Sequence, residues 1–357
     1  MPAPSLLLAL TVMVAAPPAA ETPLTPAQRQ AVVESLAKVV REQYVSPEVG
    51  ERTARRLLRG LQQGSYPQEQ PDRLAEALSR ELVAATGDRH FRVHFEPDFH
   101  GSSSPDGEPS AAEKARFRRA FGRQNFGVAQ AEVLPGNVGL LELRFFAPVE
   151  FSAGTITAAM AFLAHTDALI LDVRRNDGGD PDSIAYLCSY LFPEGSRVHL
   201  NDLRYRTRNE VRQYWTLPTV PGPRHAGKPV YVLTSARTFS GGEELAYDLQ
   251  AQKRATVVGE TTGGGANPGG AVILAEGFVA FVPSGRAVNP ITKRNWEGVG
   301  VKPDLAVPAA QAADVAHVQA LRAILKSQTD EEYRRKLERL LAMVERGERE
   351  RPVYTRP

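Results

Sequence analysis

YVLTSARTFSGGEELAYDLQAQKRATVVGETTGGGANPGG, residues 231–270, reads as strand, turn, helix and strand in one run. The apolar stretch 230–233 predicts a buried strand, and a polar turn follows it. Ser240 then opens an amphipathic stretch, 241–250, with Leu245, Ala246 and Leu249 on one face, and 256–258 reads as the next strand. This alternation predicts an α/β core. It also aims a hydroxyl and the free N–H groups of a helix N-terminus at one point in space. Acyl transfer needs a nucleophile and an anion site made together in this way.

Outward from this block the same alternation continues. Strand-like runs fall at 128–134, 138–143 and 168–173, with helical stretches at 154–165 and 184–191. Upstream, residues 25–86 predict three helices. Thr25, Pro26 and Gln28 form a cap, an N1 proline and a capping box ahead of Val32, Val33, Leu36, Val39 and Val40. Ser46-Pro47 opens the second helix. Pro71-Asp72 opens the third, which carries Leu74, Leu78 and Leu82 and ends at Gly87. HFRVHF, residues 90–95, alternates as a strand, with Phe91, Val93 and Phe95 on one face. Residues 101–110 are rich in Ser, Pro and Gly and read as a loop. From 311 to 348 the chain is helical again, with an apolar stripe (Leu321, Ile324, Leu325, Leu337, Leu340, Leu341, Val344) that fits a docked helical pair or a dimer interface. The expected organisation is a signal peptide at 1–20, a helical domain at 21–98, a linker at 99–125, a catalytic domain at 126–310 and a C-terminal helical extension at 311–357.

Composition narrows the function classes. The 357 residues suffice for one large domain and a smaller one. Lys and Arg number 43 against 41 Asp and Glu, and no basic cluster is interleaved with aromatics, so no nucleic-acid partner is expected. The single Cys188 excludes a disulfide framework and, in its apolar run, reads as a small buried hydrophobe. Leu6 to Ala15 is a short apolar core followed by small residues and prolines through Ala20. A membrane-spanning helix needs about 20 apolar residues, so this segment reads as a secretory signal without stable membrane insertion. The expected location is periplasmic or secreted, with no lipid anchor.

Ser240 has two readings, an ordinary helix cap and a nucleophile. Gly241 and Gly242 leave room for a substrate carbonyl and expose the Gly241 N–H. In ALILDVRRNDGGD, residues 168–180, a strand ends in Asp177-Gly178-Gly179, either a plain turn or a backbone oxyanion donor. A serine nucleophile requires a base, and the chain has seven histidines. His90 stands at the junction of the helical segment and the first strand. His90 and His94 share a strand face without a third ligand spaced nearby, so no metal is expected. The nucleophile-elbow motif G-x-S-x-G fails at Thr238. Gly263 to Gly265 lacks the Lys-Ser/Thr of a phosphate loop and reads as a flexible turn or the wall of a peptide groove.

Three blocks, LILDVRRNDGGD, TFSGGEELAYDLQAQKRATVVGETTGGGANPG and WEGVGVKPD, together resemble the C-terminal-processing (tail-specific) serine peptidase family. Within it, the chain looks most like the branch with the interphotoreceptor retinoid-binding protein modules and tricorn protease. The resemblance covers about residues 25–310. It implies a crotonase-like core of β-β-α units behind a helical N-terminal domain, with no metal or organic cofactor and a polypeptide as substrate. It places Ser240 on the nucleophile, and Gly241 with Gly178 or Gly179 on the oxyanion hole. His90 falls on the base and Glu297 on the carboxylate that supports it. Gly265 stands where the tail-specific branch has its lysine, and Arg89 where the tricorn-like branch has a hydroxyl before the histidine. Asp88 or Glu297 is then left to orient His90. The stretch between His90 and the core is too short for a PDZ module. The function implied is an exported serine endopeptidase acting on unstructured or C-terminal polypeptide segments. The alternative is a non-catalytic binding module for a small apolar ligand.

Overall fold

The computed structural model describes residues 22–99 and 110–348. The signal-peptide reading of 1–20 and nearly all of the loop at 101–110 lie outside the described residues. In chain order, helices α1 (Pro26–Gln43), α2 (Pro47–Gln62) and α3 (Pro71–Thr86) come first, then strand β1 (Arg92–Phe95) and helix α4 (Ala111–Gly122). Strands β2 (Val128–Leu134) and β3 (Val138–Leu143) lead into α5 (Val149–Phe162), and β4 (Ala168–Asp172) into α6 (Pro181–Ser189). β5 (His199–Tyr205) and β6 (Glu210–Trp215) precede β7 (Val230–Thr234), α7 (Gly241–Ala251) and β8 (Thr256–Gly259). The chain continues through β9 (Gly269–Ile273), β10 (Phe278–Pro283), β11 (Gly285–Val288) and β12 (Leu305–Ala306) to helices α8 (Ala312–Ser327) and α9 (Glu331–Glu345).

These elements sort into two units that are discontinuous in sequence. Among the described residues, the first takes 22–99, 110–120, 201–213 and 264–298, and the second takes 121–200, 214–263 and 299–348. The boundaries at 98 and 126 do not follow these units, because strands β9, β10 and β11, inside 126–310, belong with the N-terminal helices. Residues 111–122 in the expected linker form α4. Ser110 and Glu113 cap it reciprocally, Glu113 Oε2 accepting the Ser110 N–H at 2.7 Å and Ser110 Oγ the Glu113 N–H at 3.3 Å. Its apolar residues are mainly alanines and only Phe121 is buried, so no apolar stripe marks it in the sequence.

In the first unit, the apolar faces of α1–α3 close over a small sheet. The expected capping box of α1 is present, with the Gln28 N–H donating to Thr25 Oγ1 and the Thr25 N–H to Gln28 Oε1. Val33, Leu36 and Val40 of α1, Leu57 of α2 and Leu74, Leu78 and Leu82 of α3 form one cluster with Phe91, Val93, Phe278 and Ala280. β1 pairs antiparallel with β10 (Val93 opposite Ala280), and β10 with β9. A second three-stranded sheet runs β11-β5-β6. Gly87, in the left-handed region at φ 77°, ends α3 and turns the chain into Asp88-Arg89-His90.

The second unit is built on a six-stranded mixed sheet, order β12-β8-β7-β4-β3-β2, in which only the β2–β3 pair is antiparallel. Strands covered on both faces read as continuous apolar runs, and all five residues of β4 and of β7 are buried. On one face Val138, Ala168, Ile170, Leu233 and Val258 pack with Ala316, Ala320, Leu321 and Ile324 of α8 and Leu337 of α9. The C-terminal stripe is thus spent on the sheet, as the docked-pair reading expects. The alternate residues Leu141, Leu169, Leu171, Val232 and Val257 are buried as well. The mixed α/β architecture with a helical N-terminal region and C-terminal helices is the one expected. No helix among the described residues is long and apolar enough to cross a membrane.

Candidate active site

Ser240 and the glycines lie in the second unit. β4 and β7 are adjacent and parallel, with Asp172 opposite Leu233, so the loops after them leave the same edge of the sheet. Crevices at the carboxyl ends of parallel strands are where α/β proteins gather their sites. The two loops are tied together by buried polar groups. Thr238 Oγ1 donates to the Val173 carbonyl at 2.8 Å, Ser235 Oγ to the Arg174 carbonyl at 2.5 Å, and the Phe239 N–H to the Asn176 carbonyl at 3.0 Å. Thr238, which breaks the elbow motif, is therefore a tether in this fold.

Ser240 has φ 51° and ψ −119° at the start of α7. A serine gains nothing from this region unless its surroundings impose it, and such strain clusters at functional positions. The clamp is Glu243, fully buried, whose Oε2 accepts the Ser240 N–H at 2.8 Å while its Oε1 accepts the Thr262 hydroxyl at 2.5 Å. Thr262 Oγ1 in turn accepts the Val301 N–H at 2.7 Å. The result is a strand–turn–helix elbow without the glycine signature that usually announces it.

The glycine pair comes up against this elbow. A Cβ on Gly178 would stand 2.7 Å from Ser240 Cβ and 3.1 Å from its Oγ, and a Cβ on Gly241 would stand 3.0 Å from the Gly179 nitrogen. The Gly178 N–H donates to Asn176 Oδ1 at 2.8 Å, so it is already committed. The N–H groups of Gly179 and Gly241 donate to no acceptor among the described residues. Two uncommitted N–H groups therefore flank the serine, one from each loop, with α7 adding the positive end of its dipole. Next to them Asp180 caps α6, its Oδ2 accepting from the Val149 and Ser183 N–H groups. Burial, then the neighbouring Asp182, push its pKa up to about 6.

His90 and Glu297 lie in the first unit, together with Asp88. One ligand-type atom from each of these three lies within 4.8 Å of the others. Asp88, 1% exposed, places Oδ1 3.5 Å from His90 Nδ1, and the same oxygen accepts the His90 backbone N–H at 3.0 Å. The His90 ring stacks on Phe281, with centroids 6.0 Å apart. Glu297 Oε2 accepts the Ala266 N–H at 2.6 Å, while the neighbouring Trp296 indole donates to the Gly265 carbonyl at 2.7 Å. Position 265 thus serves this unit through its backbone. His94 is not part of the group. If a divalent ion bound, Asp88, His90 and Glu297 would be its ligands.

Several participants escaped sequence reading. Asn176, fully buried, fixes the glycine turn from both ends by accepting from Gly178 and donating to the Leu143 carbonyl at 3.0 Å. Tyr44 and Asn267 reach Asp88 from far away in the chain. No local pattern marks any of these. Glu243 could have been found, since Ser240-Gly-Gly-Glu243 has capping-box spacing.

Residues 137–307 match Peptidase_S41, described as peptidase family S41, and residues 19–120 match the N-terminal domain of Peptidase_S41 in eukaryotic IRBP. The chain belongs to peptidase family S41. Among solved structures similar to this S41 chain is a putative peptidase from Parabacteroides merdae, 17% identical, with a TM-score of 0.55, covering 81% of this chain and 92% of that one. Mature CPAF is 13% identical with a TM-score of 0.53, over 89% of this chain and 96% of its own. Tricorn protease is 11% identical with a TM-score of 0.52, covering 90% of this chain but 37% of its own. At these identities the likenesses concern the fold, and the family assignment makes this S41 protein a serine-type peptidase. The resemblance drawn from the three sequence blocks is borne out.

Proposed function

We propose that this S41 peptidase is an exported endopeptidase that cleaves unstructured or C-terminal polypeptide segments through an acyl-enzyme on Ser240. The observation that carries this reading is the strained Ser240 at the N-terminus of α7, flanked by the uncommitted N–H groups of Gly179 and Gly241. Ser240 Oγ attacks the scissile carbonyl carbon as His90 takes the hydroxyl proton. The carbonyl oxygen becomes an oxyanion, which the two N–H groups stabilise. On collapse the C–N bond breaks, and His90 returns its proton to the leaving amine. Water, deprotonated by His90, then attacks the acyl carbon and restores the Ser240 hydroxyl. Glu297 supports His90 in this scheme, and every step uses groups of the chain alone. Export rests on the apolar segment within residues 1–20.

The test is intact-mass analysis after exposure to a fluorophosphonate, which forms an Oγ–P bond and releases fluoride. One adduct on the wild type, insensitive to EDTA and lost in Ser240→Ala, is expected. Absence of an adduct on the wild type would count against an activated serine and favour the binding module. Sequencing the N-terminus of protein secreted by a bacterial host should show cleavage near Ala20, and an intact leader would remove export.

A further inference from the structure

We infer that Asp88 is the positioning residue for His90. This rests on the assignment of His90 as base. A carboxylate that is 1% exposed is costly unless its lone pairs are occupied. Around Asp88 every partner is a donor. Asn267 Nδ2 donates to Oδ2 at 2.9 Å, and the Tyr44 hydroxyl approaches the same oxygen at 3.4 Å. Oδ1 takes the His90 backbone N–H at 3.0 Å and faces Nδ1 of the ring at 3.5 Å. Burial, then the negative charges of Asp88 and Glu297, hold the Tyr44 pKa well above the ordinary tyrosine range, so the phenol keeps its proton and remains a donor. The Asp88 N–H itself donates to Thr86 Oγ1 at 3.1 Å, directly behind the left-handed Gly87 that ends α3. The carboxylate is thus fixed by three separated parts of the first unit: the end of α1, the end of α3 and the loop before β9.

A carboxylate on the Nδ1 side of an imidazole selects the tautomer with hydrogen on Nδ1, leaving Nε2 as the acceptor, and stabilises the imidazolium that forms when Nε2 takes a proton. A turn-capping role alone would need only the backbone acceptor function, which asparagine also supplies.

The experiment is the rate of fluorophosphonate labelling of the full chain, resolved into the maximal rate (kinact) and half-saturation (KI), for wild type, Asp88→Asn, His90→Ala and the double variant. Asp88→Asn should lower kinact by about 10²–10⁴-fold and leave KI within about twofold. In the His90→Ala background it should add less than about twofold, because groups that act as a unit are not additive. Asp88→Asn within threefold of wild type, or with equal losses in both backgrounds, would overturn the positioning role while His90 stands. His90→Ala labelling at the wild-type rate would overturn the base and this inference with it. Circular dichroism of Asp88→Asn, expected to match wild type, separates these results from misfolding.

Discussion

The surroundings of Ser240 and those of His90 are made of different materials. Ser240 sits among backbone groups: Gly178, Gly179 and Gly241 approach so closely that a methyl on Gly178 would meet the serine at 2.7 Å. His90 sits among side chains, with Asp88, Glu297 and Phe281 about the ring and Tyr44 and Asn267 behind Asp88. Backbone does not depend on which side chain it carries, but it tolerates no added atom. A cluster of side chains can lose an outer member and be partly compensated by the rest, as where Tyr44 and Asn267 meet the same oxygen of Asp88. The nucleophile region should therefore fail abruptly under substitution, and the outer members of the histidine cluster, Tyr44 and Asn267, by degrees.

The largest effect expected is from Ser240→Ala, which should reduce hydrolysis of labelled casein to background with the thermal midpoint within about 2 °C of wild type. A large fall in midpoint would mark Ser240 as a structural cap. Gly179→Ala comes next. Its Cβ would meet the Phe146 carbonyl oxygen at 2.1 Å, at φ 137°, and strained backbone of this kind costs about 1–3 kcal/mol before the clash is counted. Urea unfolding should show a loss of at least about 2 kcal/mol together with loss of labelling. A stable, active Gly179→Ala would break the contrast between the two regions.

Acid titration of stability checks the polar groups that hold the second unit. Burial, then Lys228 and Arg254, lower the pKa of His225 to about 4, and its Nε2 lies 3.1 Å from Thr166 Oγ1. The unfolded chain takes up this proton near pH 6.5, so His225 withdraws stability as pH falls from about 6.5 to 4, by up to about 3 kcal/mol. Asp180 acts with the opposite sign. Its folded pKa of about 6 exceeds the unfolded value, so its contribution is full below about pH 4 and lost as pH rises through 6. The wild-type stability curve between pH 4 and 6.5 should thus be shallower than that of either His225→Gln or Asp180→Asn, with slopes of opposite sign in the two variants. Parallel curves for all three would refute both assignments. The smallest effect belongs to the side-chain cluster: Tyr44→Phe removes one long contact to Asp88, and labelling should slow by only about two- to fivefold. A hundredfold loss would show that even the outer members of the histidine region are as unforgiving as the elbow.

Legibility followed the same division. Strands β3, β4, β7 and β8 could be read because each buries a mostly apolar run, and α1–α3 because their N1 prolines and apolar periodicity agree. Strands β5, β6, β9, β10 and β11 could not. GGAVI in β9 alternates between half-buried and exposed residues after a buried Gly269, too short a pattern to stand out. Ser240 and the glycines were legible because each stands at the end of an element with its own local signal.

From the sequence alone came the family, the α/β class, the helical N-terminal segment and the pairing of a serine with two glycine turns, because these rest on local apolar runs, caps and ordered blocks. Tertiary structure decided the rest. Only the parallel pairing of β4 with β7 brings Gly178 and Gly179 against Ser240 and Gly241. Only packing across more than two hundred residues of chain brings Glu297 to Asp88 and His90. Tyr44 and Asn267 supply buried donors to a carboxylate that neither adjoins in sequence, and no local pattern encodes where such donors come from.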